Sequence, residues 1–374
     1  MEYGEISYCT GGQAKMLLDI LIIAIKIILG LSWLLTLTLI LTWVERKESA
    51  VVQDRIGANR ASILGFRIFG LFQPFADAIK MMFKEDFVPP FSNKLLHTIA
   101  PFLSFFFATV TLAAIPFGDE ITIGSKVIPL QIARMNIGLV FILAMFSLGI
   151  YGVIIGGWAS NNKYTLLGGM RGTAQIISYE IALGLSLIGL IMIYPSLELN
   201  EIVKYQGDLL FGFIPKWGVF LQPLGFFIFL VAGMAETKRV PFDLPEGESE
   251  IIGFYTEYSG MKFGLFMMTD FVEVVLISAL LTTLFFGGWQ VPYLYSDGFH
   301  FPWGGSIILN KWVVTILQVL AFNLKVAFFC WLLILARWTY PRYRYDQLMS
   351  LGWKLLIPLS FVNILGTGLI LILI

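Results

Sequence analysis

The sequence predicts an all-α integral membrane protein of eight transmembrane helices with amphipathic helices at the interface, both termini outward. Three observations carry that reading. The 374 residues are 57% hydrophobic and 13% charged with mean hydropathy +0.81, whereas soluble domains are about a quarter charged. Apolar runs long enough to cross about 30 Å of hydrocarbon recur near 16–43, 95–116, 134–157, 173–194, 219–236, 264–289, 311–336 and 352–374. Finally, lysine and arginine are uneven. The segments after the first, third, fifth and seventh runs hold 17 of the 25, and the N-terminus with the alternate segments holds 6. Positive loops stay inside, so the long polar loops 44–94 and 237–263 face inward.

The elements follow in order. The N-terminus carries Glu2 and Glu5 rather than a basic start, so the first run is expected to be a retained anchor and not a cleavable signal. Residues 61–85 are amphipathic and too charged to span, which predicts one or two helices lying at the interface. Pro89 and Pro90 end that stretch before the second run. Ion-bearing positions inside the runs are Lys26, Glu180, Glu236, Asp270, Glu273 and Lys325. Charges at membrane depth are costly and mark function by default, with a helix-gluing ion pair as the plain alternative. Asp270 and Glu273 are three apart, hence on one helix face, so one of them must be protonated or paired.

Between the fifth and sixth runs, Glu236–Phe263 holds six carboxylates (Glu236, Asp243, Glu246, Glu248, Glu250, Glu257) against Lys238, Arg239 and Lys262. Crowded acids repel and so bind protons more tightly. At about 4–5 Å and an effective dielectric near 20 the repulsion is roughly 3–4 kcal/mol, or about two pKa units. A solvated acidic loop is the plain reading. Against it stand Pro241, Phe242, Pro245, Phe254 and Tyr255, more apolar surface than a free loop uses. Two further loops are basic: 43–60 with Arg46, Lys47, Arg55 and Arg60, and 337–349 with Arg337, Arg342 and Arg344 among aromatics. Positive-inside anchoring is the plain reading of both, and the aromatic interleaving also suits a ligand with a polar head and an apolar tail.

Several chemistries have no support. Net charge is zero, so nucleic acid is not a partner. Cys9 and Cys330 form no CxxC, and His97 and His300 are expected outside helix interiors. No iron–sulfur cluster, flavin or haem is therefore expected on this chain. There is no Walker loop, dinucleotide fingerprint or internal repeat.

Five segments then carry a resemblance: VERKESAVVQDRIGANR, QPFADAIKMMFKED, RGTAQIISYEI, AETKRVPFDLPEGESE with YTEYSGMKF, and YPRYRYDQLMSLGWK. In this order they closely resemble the membrane subunit of respiratory complex I (NADH-quinone oxidoreductase) called NADH dehydrogenase subunit 1 in mitochondria, together with its bacterial counterpart. The resemblance covers about 45 to 358. It implies a subunit of a proton-pumping NADH:quinone oxidoreductase, a translocase that lines the quinone chamber where membrane and peripheral arms join. Ubiquinone or menaquinone is the implied substrate. The implied partners are the peripheral-arm quinone-site and terminal iron–sulfur subunits, the small membrane subunits toward the antiporter-like ones, and the bilayer. The implied location is the bacterial inner membrane, with the mitochondrial inner membrane as the alternative. Carried over by motif, Arg46, Gln53, Arg55, Arg239, Asp243, Arg337 and Arg342 are quinone-binding candidates. Glu180, Glu236, Glu246, Glu248, Glu250, Glu257 and Asp270 are proton-pathway candidates. Three positions depart from the family pattern: Ala58 stands for proline, Lys238 for asparagine and Asp270 for glutamate. A membrane subunit of an energy-conserving hydrogenase-type complex, or a stand-alone proton-coupled transporter, is the competing reading.

Overall fold

A computed structural model describes residues 5–63, 65–123, 126–210, 212–247 and 250–373. Among them, seven helices are long and apolar enough to cross a membrane. The first, α1 (Glu5–Val52), has 48 residues, about 72 Å at 1.5 Å per residue, more than twice a bilayer core. The inner loop was expected to begin at 44, yet the helix runs on to Val52. The reason is local. Residues 44–52 contain no glycine or proline and are rich in good helix formers. Glu48, Ser49 and Ala50 also pack inside, at 8, 5 and 1% exposure.

The amphipathic stretch yields one helix, α2 (Gln73–Phe83), started by Pro74, where a missing N–H costs nothing. α3 (Lys94–Val110) opens on Asn93, whose side chain accepts from Leu96 N at 3.3 Å. His97 falls in its first turn, not outside a helix. It is fully buried and stacks on Tyr258 at 4.0 Å. α4 (Gly138–Ala159) and α5 (Lys163–Ile193) follow. α5 starts ten residues before the apolar run because Asn162 caps it through Tyr164 N, the usual role of asparagine at this position.

The expected span near 219–236 is broken. After the short α6 (Leu199–Tyr205) comes a four-residue helix α7 (Gly218–Leu221), then α8 (Pro223–Glu236) of 14 residues. Proline at 223 cannot donate into the preceding turn, so the helix restarts there. α9 (Gly260–Phe285) is the central helix, buried along nearly its whole length. It packs against α1, α2, α3, α8 and α10 (Lys311–Thr339). The last span combines α11 (Tyr345–Ser350), a π turn over Leu351–Leu356, and α12 (Ile357–Leu373).

The fold is not purely helical. The connections between α3 and α4, α6 and α7, and α9 and α10 each carry a small antiparallel sheet of two, two and three strands. Their sequences alternate in runs of two to four residues, too short for the periodicity that announces a strand.

The acidic stretch after α8 is not a free loop. It lies on α5 at two glycines. A Cβ at Gly168 would stand 3.1 Å from both Phe254 N and Pro245 O, and one at Gly172 would stand 2.8 Å from Pro245 Cγ. Phe242, Leu244, Ile251, Phe254 and Tyr258 are all buried, at 5% exposure or less.

Candidate functional site

The site forms where the C-terminal part of α1, the acidic stretch, α9 and the end of α10 converge. Glu45 of α1 is its hub. One carboxylate oxygen accepts from Arg239 Nη1 at 2.9 Å and the other from Arg337 Nη1 at 2.5 Å. The Arg239 guanidinium also lies 3.8 Å from the Phe271 ring centre, so its flat face is covered by a π system and its edge by a carboxylate.

Beyond the end of α10, Arg342 donates to Asp243 at 2.5 Å. Glu246, 9% exposed, has Asp270, Asp243 and Tyr255 as neighbours. Acids crowded together in a buried place favour a bound proton. Lys238 then closes the chain, with Nζ 3.0 Å from Glu273 and 3.4 Å from Asp270, all three within 10% exposed side chains. Glu236, 5% exposed, feels the charges of Glu273 and Glu180. Glu180 in turn accepts from Ser147 of α4. Among the described residues from Glu45 to Glu236, six carboxyls (Glu45, Asp243, Glu246, Asp270, Glu273, Glu236) meet four cations (Lys238, Arg239, Arg337, Arg342). The acids outnumber the cations, and an excess of buried acid favours bound protons.

The electrostatics agree outside the spans. Burial raises Glu246 well above the carboxylate range, helped by the nearby charges of Asp270 and Asp243. Burial also raises Asp243, to about 6, although Arg342 pulls it down. Lys238 shows the opposite balance. Burial disfavours its charge, but Glu273 and Asp270 outweigh that and hold its ammonium above the ordinary lysine value. Since the folded state keeps the Asp243 proton up to about 6, the folded chain binds the extra proton between the ordinary carboxylate range and that pH. Stability gained there declines as pH rises through the window. Arg342→Gln is expected to move the Asp243 titration upward, and Asp243→Asn to delete it. Infrared titration of the carboxyl band reads both, and a band unmoved in Arg342→Gln would refute the pairing.

Two cavities meet this chain. One of about 410 Å³ is lined by Glu45, Arg46, Ser49, Arg55, Ala58 and Trp338. The other, about 210 Å³, lies between α1, α2 and α9 and includes Leu39, Met81, Met267 and Phe271 on its apolar walls. Glu45 and Arg46 border both. Arg46 is held by Asp77 of α2 at 2.6 Å.

The remaining candidates from the sequence lie differently. Gln53 accepts from Arg55 Nε at 2.6 Å, and both are exposed. Glu250 pairs with Arg171 at 2.7 Å, and Glu257 accepts from Asn162 at 2.8 Å. Neither shares a partner with the buried chain. Glu248 lies outside the described residues. Asp270 and Glu273 are both paired, through one lysine. Neither Glu45 nor Asp77 was among the sequence candidates. The nearest signal for Glu45 was its place beside Arg46 at the head of a basic stretch. Among the described residues no group of three or more His, Cys, Asp or Glu side chains could hold a metal ion.

Fold and site together define a multi-pass helical membrane protein with a buried ionic chain that runs from a polar cavity into its helix core. The NADH dehydrogenase family profile matches residues 25–368. A NADH-quinone oxidoreductase subunit from Cytophaga hutchinsonii is 46% identical over 328 residues, 87% of this chain and 90% of the relative. The corresponding NADH-quinone oxidoreductase subunit of Geobacter metallireducens is 45% identical over 95% of this chain and 98% of its own length. That of Rhizobium meliloti is 44% identical over 93% and 97%. The chain belongs to the NADH dehydrogenase family, as a homologue of this one membrane subunit of NADH-quinone oxidoreductase.

Proposed function

We propose that this chain is the membrane subunit of a proton-pumping NADH:quinone oxidoreductase that lines the quinone passage and couples quinone reduction to proton movement. The observation that carries this reading is Glu45, which borders both cavities and also anchors the buried ionic chain. In this reading the protein has eight spans, with α7 and α8 forming the short one, both termini outward, in a bacterial inner membrane. Ubiquinone or menaquinone is the substrate. Electrons come from an iron–sulfur centre on a peripheral-arm subunit, while this chain supplies position and electrostatics.

The apolar pocket between α1, α2 and α9 suits a tail, and the polar cavity beyond it suits a head. Reduction of the head takes two electrons and two protons. A unit of negative charge roughly 10 Å from Glu246 or Asp270 is worth about 1.7 kcal/mol at an effective dielectric of 20, more than one pKa unit. That is enough to move a proton bound among these carboxyls. Lys238 keeps the next pair from protonating together, and Glu236 and Glu180 extend the route along α8 and α5 toward the small membrane subunits.

Glu246→Gln combined with Asp270→Asn keeps shape and removes both acids. The expected result in the assembled complex is a loss of about tenfold or more in coupled turnover, which is ~1.4 kcal/mol of barrier, with quinone still bound. Full quinone reduction and proton pumping in that variant would end this account of the acids.

A further inference from the structure

The helices hold two lysines at membrane depth, and they are treated differently. Lys325 of α10 spends its three N–H groups on the carbonyls of Phe286, Gly288 and Gln290, at 2.8, 3.0 and 2.6 Å, with the Trp217 ring 4.8 Å away. Lys26 of α1 donates once, to Gln131 O at 3.1 Å. It meets no carboxylate among the described residues, contrary to the ion pair that the sequence allowed. An ammonium has three donors, so two of them remain for something else.

Lys26 opens into a cavity of about 230 Å³ between α1, α10 and the non-helical segment before α4. Its walls include Leu29, Trp33, Phe117, Ile132 and Val319, with Asn323 and Gln131 as the polar members. Asn323 is occupied, accepting from Trp33 Nε1 at 2.6 Å. Gln131 is half occupied: it is 3% exposed, its Nε2 donates to Ala114 O at 2.7 Å, and its Oε1 has no partner. The cavity borders apolar helix faces that no described residue of this chain covers, since Ile25, Ile28 and Leu29 of α1 and Ile316 and Leu320 of α10 are 47 to 64% exposed. Lys26 lies ten residues into the apolar part of α1 that starts at Met16, about 15 Å along the axis. A phospholipid headgroup stays at the interface, so it does not reach this depth at low cost. A single-chain acid has a head of three heavy atoms and a tail of the right polarity.

We propose that this cavity binds a long-chain fatty carboxylate from the bilayer. Its head accepts the free N–H groups of Lys26, and its chain lies against Leu29, Phe117 and Val319. Charge complementarity selects the head: a cation at this depth is stabilised by an opposite charge beside it. A water carried in with the carboxylate gives Gln131 Oε1 the donor it lacks. The volume has room for about eight water-sized groups of ~30 Å³, the carboxyl and the first part of the chain. The remainder follows the exposed face of α1.

The test uses the purified complex that contains this chain and a diazirine-bearing palmitate. After photolysis, the label is expected in peptides covering 26–33 or 319–323. It should be competed by unlabelled palmitate and reduced about tenfold in Lys26→Met, a factor worth ~1.4 kcal/mol, but kept in Lys26→Arg. Val319→Phe, which fills the cavity and leaves the lysine, should also lose it, and this arm decides if Lys26→Met does not assemble. Equal labelling of Lys26→Met or Val319→Phe and the parent overturns the proposal. So does a diazirine phosphatidylcholine that labels the same peptides in a Lys26-dependent way, or a cross-link from position 26 to an acidic helix of another subunit.

Discussion

Lys238→Asn is expected to destabilise the protein by about 3 kcal/mol or more, because it leaves Asp270 and Glu273 facing each other without their cation. Breaking a buried ion pair by removing one partner typically costs about 3–5 kcal/mol, and here a single ammonium serves two acids at 3.4 and 3.0 Å. Asparagine is the informative replacement because of the backbone. Lys238 sits just past the end of α8 with φ of +55°, a left-handed conformation that costs most residues about 1–2 kcal/mol and asparagine less. The substitution therefore relieves backbone strain while removing charge. A net loss of thermal stability isolates the electrostatic contribution. Adding Glu273→Gln should restore part of it, since one of the stranded acids is then neutral. Unchanged melting of Lys238→Asn would show that the two carboxyls hold their own protons and the lysine is incidental.

The second large effect is expected at Glu45. Glu45→Gln removes the anion shared by Arg239 and Arg337 and keeps the shape. Two part-buried guanidiniums then repel across one amide, at a cost of about 3 kcal/mol by the same buried-pair argument. Both arginines are tied through Glu45 to the 410 Å³ cavity that Glu45 lines, and Trp338 of its wall is adjacent in sequence to Arg337. The consequence should reach the quinone reaction: a fall of roughly a hundredfold in kcat/KM, which corresponds to ~2.7 kcal/mol. Glu45→Asp, which keeps charge but shortens reach, should recover part of it. Steady-state kinetics of the assembled complex with a short-chain quinone reads the series. Wild-type kinetics in Glu45→Gln would separate the ionic chain from the cavity.

How much of this was legible in the residues is uneven. The runs near 134–157 and 264–289 announced themselves by length and apolarity, and the helices Gly138–Ala159 and Gly260–Phe285 stand within four residues of those bounds. The overshoot of α1 was hidden because charge density at Glu45–Glu48 reads as loop, whereas helix propensity and the burial of Glu48 to Ala50 decide the matter. The division of the fifth run followed from Pro223, visible in the sequence but not weighted. Site membership was partly legible: carboxyls crowded from 236 to 257 pointed to the stretch, yet the sequence could not sort Glu246, turned onto Asp270, from Glu250, turned onto Arg171. That choice depends on which way the chain turns over Gly168 and Gly172. Glu45 was missed because its partners are 194 and 292 positions away, and no local pattern encodes a contact of that kind.

The continuation of α1 beyond its apolar run has a thermodynamic consequence for binding. Residues 44–52 carry Glu45, Arg46 and Ser49 on a stretch that is already helical. Ordering a residue from coil costs about 1–2 kcal/mol, so nine such residues represent on the order of ten. A peripheral protein that alights on this post meets it already rigid, and none of its adhesion is consumed in folding the landing place.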